Sequence, residues 1–327
     1  MHIPLFQQLF GFPESSHAEV HARLRVDGER LVSTVNGSSS ACGRLEIPSL
    51  AELREKMSPL RNQSEPSTCR EIVADAKSLH ADPENAGAIF QVASQFNLLE
   101  MCGPDETPEM GVSKYSGDPT QGPACALACF AGAVYRNYFV PLGNQIGQTA
   151  HKQVDCLADL GDALGNRSQR LLEMRNGYAL AGEEGLREIR QILDATNEAE
   201  RDGLRGLLRV GIQWGTEVTL PGAGHLVNQV YASALPVGYS PHSASEWEPF
   251  ARLVLEAAYE ATLLAAASTP DRRVFLTLLG GGVFGNRMEW IVDAIQYAMG
   301  QTLDLGLDIR IVSYRRPNPA LKPVLTP

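Results

Sequence analysis

The stretch VFLTLLGGGVFGN, residues 274–286, decides the fold because it joins a predicted strand to a predicted helix through a glycine-rich turn. Its first half is β-branched, aromatic and apolar, which is typical of a strand covered on both faces. Three consecutive glycines follow, with a fourth at 285, and residues 287–299 then have apolar side chains at helical spacing. A strand that leads directly into a helix is the building unit of layered α/β folds.

From residue 86 onward, the chain repeats this alternation of strands and helices. The run AGAIFQVAS at 86–94 is short and almost wholly apolar, as expected of a central strand. A helix candidate at 123–139 begins with proline and continues in small residues. The alternation predicts an α/β fold in which helices flank a mixed, largely parallel sheet. The other helix candidates are 148–164, 186–196 and 247–267, and the other strand candidates are 177–181, 207–214, 227–240, 274–279 and 307–314.

The first 85 residues have a different pattern, with a predicted β-hairpin followed by two predicted helices. We therefore expect residues 1–85 to form an N-terminal elaboration that packs on a core of residues 86–327, within one compact unit. The hairpin strands are 19–26 and 30–37, the helices are 49–57 and 67–80, and a loop at 58–67 separates the two helices.

Composition limits the possible function classes. The chain of 327 residues is 44% apolar, so it can bury a large core. Its formal net charge of -10 argues against non-specific nucleic-acid binding, which requires excess positive charge. No apolar run reaches the ~18–20 residues of a membrane span, and the N-terminus is a poor signal peptide. The six cysteines form no CxxC pair, which favours reduced thiols in the cytoplasm. No matching histidine pair at ligand spacing accompanies them, so no metal site is predicted. No cofactor is expected.

The glycine-rich turn has two interpretations. Backbone N–H groups at a strand end, together with the positive end of the following helix dipole, favour binding of an anion such as phosphate. Alternatively, the glycines only allow a tight strand-to-helix turn. A P-loop is excluded because Asn286 and Arg287 stand where that motif requires Lys followed by Ser or Thr. A dinucleotide fingerprint fits poorly, since the next predicted strand ends in two arginines rather than an acid.

A second group of polar residues follows the predicted strand at 86–94. Ligands of open α/β sheets bind beyond the carboxyl ends of strands, where this loop lies. Its glycines and prolines favour a fixed shape, although acids in a loop are often only solvated. A shaped acidic loop together with a phosphate-binding turn suggests a pocket for a nucleotide sugar. The carboxylates are Glu100, Asp105, Glu106, Glu109 and Asp118.

These two segments resemble the signature segments of macrodomains. FQVAS with the following NLLE resembles their strand and loop beside the distal ribose, and FLTLLGGGVFGN resembles their loop around the pyrophosphate of ADP-ribose. QVAS, DPTQGPACAL and VYASALPVGYS are similar to the divergent MavL-like branch, bacterial effectors that remove ADP-ribose from arginine of ubiquitin. LFGFPE, STVNG and PSLAELR extend this similarity to the N-terminus. The resemblance implies a three-layer macrodomain-like sheet.

The resemblance also implies roles for individual residues. Ordinary macrodomains have Asn in place of Ser94, and the Gln-Glu-Glu of poly(ADP-ribose) glycohydrolases is absent, so these roles are expectations. Asp118, Glu100 and Glu109 are the candidate catalytic carboxylates. The candidate ADP-ribose-binding residues are Gln91, Ser94, Asn97, Tyr115, Gln121, Gly280, Gly281, Gly282, Val283, Phe284, Gly285 and Asn286.

The predicted reaction is hydrolysis of the glycosidic bond at the distal ribose of ADP-ribose. Its oxocarbenium-like transition state is stabilised by a nearby carboxylate, while another group manages the proton of water or of the leaving group. The expected partner is ADP-ribose or an ADP-ribosylated protein such as ubiquitin, with no nucleic acid and no membrane. Two alternatives remain open: a reader that binds ADP-ribose without cleaving it, and a nucleotide-binding scaffold unrelated to ADP-ribose.

Overall fold

The computed structural model describes residues 3–58 and 65–326. Its elements are named in chain order. The helices are α1 (Leu5–Phe10), α2 (His17–Arg23), α3 (Leu50–Met57), α4 (Ala76–Ala81), α5 (Gln121–Ala128), α6 (Phe130–Tyr138), α7 (Ala158–Ala163), α8 (Glu183–Ala195), α9 (Glu198–Gly206), α10 (Ala244–Ala267) and α11 (Met288–Gln301). The strands are β1 (Leu24–Asp27), β2 (Arg30–Ser33), β3 (Ser39–Ala41), β4 (Arg44–Glu46), β5 (Thr68–Val73), β6 (Ile89–Ala93), β7 (Pro141–Leu142), β8 (Gln145–Ile146), β9 (Leu172–Arg175), β10 (Tyr178–Ala181), β11 (Gly211–Glu217), β12 (Leu226–Ala232), β13 (Arg273–Leu276) and β14 (Asp308–Ser313).

A seven-stranded sheet organises the molecule, in the order β4-β11-β12-β6-β13-β14-β5. The four pairings from β12 to β5 are parallel, and the two pairings that involve β11 are antiparallel. Helices α3, α8, α9 and α11 pack around α10 on one face, and α4, α5 and α6 lie on the other. The predicted three-layer α/β fold with a mixed, largely parallel sheet is therefore confirmed.

Alternation along the central strands assigns side chains to the two faces of the sheet. Val274 and Leu276 pack in the large core on the α10 side, whereas Phe275 belongs to a smaller cluster on the opposite face. There the rings of Phe275 and Phe90 stack at 4.5 Å, and His80 of α4 stacks on Phe90 at 3.8 Å. Both faces of β6 and β13 are thus covered, which explains their nearly continuous apolar sequence.

Several predicted elements differ from the observed ones. Residues 19–23 are helical in α2, because Ser16 caps that helix, and only 24–33 form the hairpin. Residues 68–73 form the edge strand β5, where register with β14 overrides the predicted helix. The candidate at 123–139 is two helices, with a break at Cys129. Of 148–164, only 158–163 is helical. Residues 59–64 of the predicted loop lie outside the described residues.

The N-terminal part shares both the sheet and the core with the rest of the chain. β4 and β5 form the two edges of the central sheet, although they precede the predicted boundary at residue 85. Phe6, Phe10 and Phe12 are buried in a second core, which also contains side chains of α6 and of the acidic loop. The first 85 residues therefore build part of the sheet itself. Among the described helices, none is long and apolar enough to cross a membrane.

Candidate functional site

A cavity of about 160 Å³ lies beyond the carboxyl ends of β6 and β13. The register between these two strands covers only Ile89 with Val274 and Phe90 with Phe275, so the strands separate beyond this point. The loops that follow the two strands form opposite walls of the cavity. The lining residues are Ala93, Ser94, Gln95, Glu100, Met101, Cys102, Asp118, Thr120, Gln121, Gly122, Pro123, Tyr178, Ala234, Tyr239, Thr277, Leu278, Leu279, Gly280, Gly282, Val283 and Phe284.

Two glutamine side chains bind the backbone groups that the separation leaves open. Gln121, at the start of α5, accepts from the Ala93 N–H at 2.9 Å and donates to the Gln91 carbonyl at 2.9 Å. The Gln91 side chain accepts from the Thr277 N–H at 3.2 Å and donates to Thr262 of α10 at 3.0 Å. These bonds replace strand pairing, because buried backbone groups left without partners are costly.

The glycine-rich loop is closed by its own hydrogen bonds. The Asn286 N–H donates to the Gly280 carbonyl at 3.0 Å, and the Asn286 side chain donates to the Leu235 carbonyl at 2.8 Å. Gly280 has φ of +74°, a conformation that favours glycine. A Cβ atom there would also lie 2.5 Å from the Cβ of Ala234. The loop therefore has a fixed shape that requires glycine at this position.

Four N–H groups of this loop have no acceptor. Within the described residues, the amides of Gly280, Gly282, Val283 and Phe284 donate to no protein atom, and all four residues line the cavity. The Gly281 amide instead donates to the Leu278 carbonyl, at 3.0 Å. Consecutive unpaired amides beside a helix N-terminus attract anions.

Glu100 is a buried carboxyl group at the opposite wall. Its oxygens both accept from the Arg136 Nη2 at 3.1 Å, and its N–H donates to the Tyr115 hydroxyl at 3.1 Å. The Arg136 guanidinium lies 3.6 Å from the centre of the Tyr231 ring. Burial raises the pKa of Glu100 to about 7, although Arg136 and Tyr115 favour the ionised form.

Asp118 is a half-buried carboxylate at the mouth of the same cavity. Its Oδ1 accepts from the Thr120 N–H at 2.8 Å, which fixes the turn into α5. Cys102 lines the cavity nearby, and burial, with help from Glu106 and Asp118, raises the pKa of its thiol. The cavity therefore has two carboxyl groups in different surroundings, one buried and ion-paired, the other in contact with solvent.

Three aromatic rings form one wall. Tyr178 of β10, Tyr239 and Phe284 lie with ring centres 5.2 to 5.6 Å apart. The Tyr178 hydroxyl donates to the Met101 carbonyl at 2.9 Å, which joins this wall to the acidic loop. Such a wall offers apolar faces to a sugar or a base.

The structure brings together only part of the predicted site. Seven further predicted residues do not line the cavity. Glu109 accepts from the Ala150 N–H instead, and Asn97 is buried against Gln153 and the Leu99 N–H. The other five make hydrogen bonds behind the cavity wall. Those of Gln91, Tyr115 and Asn286 are described above, and Gly281 and Gly285 form the turn of the glycine-rich loop. The predicted residues that line it are Glu100, Asp118, Ser94, Gln121, Gly280, Gly282, Val283 and Phe284.

Arg136, Tyr178 and Cys102 belong to the site but were not predicted. Arg136 had a usable signal, since it is the single charged residue of the mostly apolar segment 123–139. A buried arginine requires a carboxylate partner, which Glu100 supplies. Tyr178 and Cys102 carry no comparable signal, because only the tertiary structure brings β10 and the acidic loop to this cavity.

A second cavity of about 590 Å³ adjoins the first, and Leu278 lines both. It lies beyond β14 and contains the exposed ring of Tyr314 and the side chain of Arg316. The described residues contain no group of three His, Cys, Asp or Glu side chains placed to bind a metal ion.

Comparison with known proteins gives matches only among solved structures. No protein-family model matches the chain, and no curated protein matches its sequence. Poly(ADP-ribose) glycohydrolase from Deinococcus radiodurans in complex with ADP-ribose is 15% identical over 86% of this chain and 92% of that chain, with a TM-score of 0.47. The glycohydrolase from Thermomonospora curvata is 12% identical over 94% of this chain and 93% of that chain, with a TM-score of 0.45. Its complex with the inhibitor ADP-HPD is 15% identical over 94% and 96%, with a TM-score of 0.42.

Proposed function

We propose that this protein is an ADP-ribosylhydrolase that binds ADP-ribose in the cavity and cleaves the glycosidic bond at the distal ribose. One observation carries the proposal. Four unpaired amides and two carboxyl groups line the same cavity, on loops that follow neighbouring strands. A ligand that binds to both the amides and the carboxyl groups has an anionic part and a polar, reactive part.

The amides of Gly280, Gly282, Val283 and Phe284 would bind the diphosphate. Among the described residues that line this cavity there is no lysine, arginine or histidine, so neutral donors such as these amides would bind the anion. Such donors are already fixed in direction by the loop, and they cost little reorganisation when the ligand binds.

The remaining parts of ADP-ribose would occupy the two ends of the groove. The distal ribose would lie against Ser94, Glu100 and Asp118, beside the aromatic wall. The adenosine would extend past Leu278 into the second cavity, where the exposed Tyr314 ring offers a stacking surface. Leu278 lines both spaces, so a ligand bound in the first cavity can continue into the second.

The two carboxyl groups suit the two tasks of glycoside hydrolysis. Glu100, fixed by Arg136, would stabilise the positive charge that develops at the anomeric carbon. Asp118, in contact with solvent, would activate the attacking water. For an arginine linkage, the leaving guanidinium also pairs well with a carboxylate.

We propose arginine of a basic protein surface, ubiquitin being one example, as the modified group. The acidic character of this chain, with net charge -10, suits such a partner through long-range attraction. The competing function is a reader that binds without cleaving. Two carboxyl groups beside an anionic ligand favour the enzyme, because a reader gains nothing from negative charge placed close to the diphosphate.

Calorimetry with ADP-ribose, ADP and NAD tests the binding step. We expect ADP-ribose to bind most tightly, since it alone places a free distal ribose between the carboxyl groups. Equal affinity for ADP and ADP-ribose would favour the nucleotide-binding scaffold.

Release of ADP-ribose from an arginine-modified protein then tests the reaction. Asp118→Ala should lower the rate by about 100-fold or more, the usual contribution of a general acid or base, with ADP-ribose affinity retained. Asp105→Ala is the matched control, because its carboxylate is 86% exposed and does not line the cavity. Wild-type protein that binds ADP-ribose but releases none from arginine, glutamate or serine linkages would establish the reader.

A further inference from the structure

We infer that Glu14, in the N-terminal part of the chain, is a positioning residue for the cavity, and this inference rests on the proposed function. Its carboxylate fixes the segment 111–118, which ends in Asp118. Glu14 does not line the cavity itself. It acts through the segment that carries one candidate catalytic carboxylate and contacts the other.

Three donors from distant parts of the chain converge on the Glu14 carboxylate. Oε1 accepts from the Val112 N–H at 2.8 Å and from the Tyr138 hydroxyl at 2.7 Å. Oε2 accepts from the Ser113 N–H at 2.7 Å. These amides are the first of the 3-10 helix Val112–Gly117, so the carboxylate satisfies donors that the helix itself leaves unpaired.

Gly111 leaves space for this carboxylate. It has φ of +82°, and a Cβ atom there would lie 2.7 Å from the Glu14 Cδ. The close approach therefore depends on glycine, and the backbone of the segment is shaped around the Glu14 side chain.

Hydrogen bonds connect this segment to both candidate catalytic residues, Glu100 and Asp118. Tyr115, in the middle of the 3-10 helix, accepts from the Glu100 N–H at 3.1 Å. The Asp118 N–H donates to the Tyr115 carbonyl at 3.2 Å. Displacement of the helix would therefore move Asp118 and remove a contact of Glu100.

The position of Glu14 is itself fixed by packing. Phe12 is buried two residues before it, and Phe12 and Phe6 make an edge contact with ring centres 5.3 Å apart. Phe6 also contacts Phe130 of α6. The N-terminal aromatic cluster thus holds Glu14 against the start of the segment.

The test combines amide hydrogen exchange with steady-state kinetics for Glu14→Ala. We expect peptides covering 111–118 to exchange at least about tenfold faster without any ligand, because two amides lose their acceptor. In ADP-ribose release, kcat should fall about tenfold or more, while KM should change less than about threefold, since the diphosphate loop is untouched. Glu29→Ala is the control, because its carboxylate is 60% exposed and its contact with Arg44 is much weaker than the contacts of Glu14.

If Glu14→Ala does not fold, two further variants allow the same measurements. Glu14→Gln retains one acceptor oxygen, and Gly111→Ala places a methyl group against the carboxylate; both should shift exchange and kcat in the same direction. Unchanged exchange at 111–118 overturns the inference, and so does faster exchange with unchanged kcat. Wild-type protein that does not bind ADP-ribose overturns the proposed function alone, and hydrogen exchange still decides whether Glu14 orders the segment.

Discussion

At the scale of single residues, the surroundings of Glu100 and Asp118 differ most. Glu100 is 1% exposed and depends on Arg136, whereas Asp118 contacts solvent and the Thr120 N–H. Burial of a carboxyl group disfavours its charged form, and one ion pair offsets that cost only in part. Both groups face one cavity, so their different surroundings assign them different chemical tasks.

The raised pKa of Glu100 predicts a pH dependence of folding. Its pKa is about 7 in the folded protein, against an ordinary value of 4.5, so the folded state binds the proton more tightly. The contribution of this group to stability is therefore complete below about pH 4.5 and is lost as the pH rises through about 7. The loss is on the order of 3 kcal/mol.

Urea unfolding of wild type and Glu100→Gln at pH 5 and pH 8 measures this effect. Between the two pH values, the free energy of unfolding should fall more in wild type than in the variant, whose amide does not titrate. Parallel pH dependence in both proteins would contradict the raised pKa.

At the scale of elements, the site exists because β6 and β13 separate. Gln121 completes the open edge of β6, in place of a neighbouring strand, through bonds to the Ala93 N–H and the Gln91 carbonyl. The same side chain places the start of α5 beside the cavity. The separation that creates the cavity is therefore stabilised by a side chain that lines it.

Gln121→Ala should destabilise the protein by about 2–4 kcal/mol, because two backbone groups lose their partner at about 1–3 kcal/mol each. Denaturant unfolding measures this change. Thr120→Ala is the matched control: Thr120 immediately precedes α5, and its side chain makes no capping hydrogen bond. A loss below about 0.5 kcal/mol for Gln121→Ala, the usual range of a surface substitution, would show that water replaces the glutamine.

At the scale of the whole molecule, the N-terminal part and the rest of the chain share one structure. β4 and β5 close the two edges of the sheet, and the N-terminal aromatic cluster packs on α6. The Arg54 side chain of α3 binds Glu260, which is fully buried in α10, at 2.7 Å. These connections cross the predicted boundary at residue 85 and favour cooperative unfolding.

Phe6→Ala tests this cooperativity. Phe6 is fully buried, so the cavity left behind should cost about 3–5 kcal/mol. The three tryptophans, Trp214, Trp247 and Trp290, all lie after residue 86. Their fluorescence transition in urea should shift to lower concentration together with the circular-dichroism transition. A tryptophan transition that stays in place, while circular dichroism shows an earlier step, would indicate two independent units.

Local pattern was sufficient for much of this architecture. The strands β6 and β13 are short, largely apolar runs, and β14 alternates polar and apolar residues. The long helix α10 is rich in apolar residues, with charged residues between them, so these elements were predictable. β5 was not, since TCREIV has no clear period and its strand conformation depends on pairing with β14. An edge strand takes its structure from a neighbour that is distant in the chain.

By itself, the sequence determined the alternation of strands and helices and the glycine-rich turn after β13, because these depend on local periodicity and on φ. Only the tertiary structure decided which acids face the cavity: Glu100 and Asp118 line it, whereas Glu109 turns to the Ala150 N–H. It also brought Glu14 to Val112, across 98 positions of the chain. The physical reason is that burial, ion pairing and backbone capping depend on neighbours in space, which local sequence does not specify.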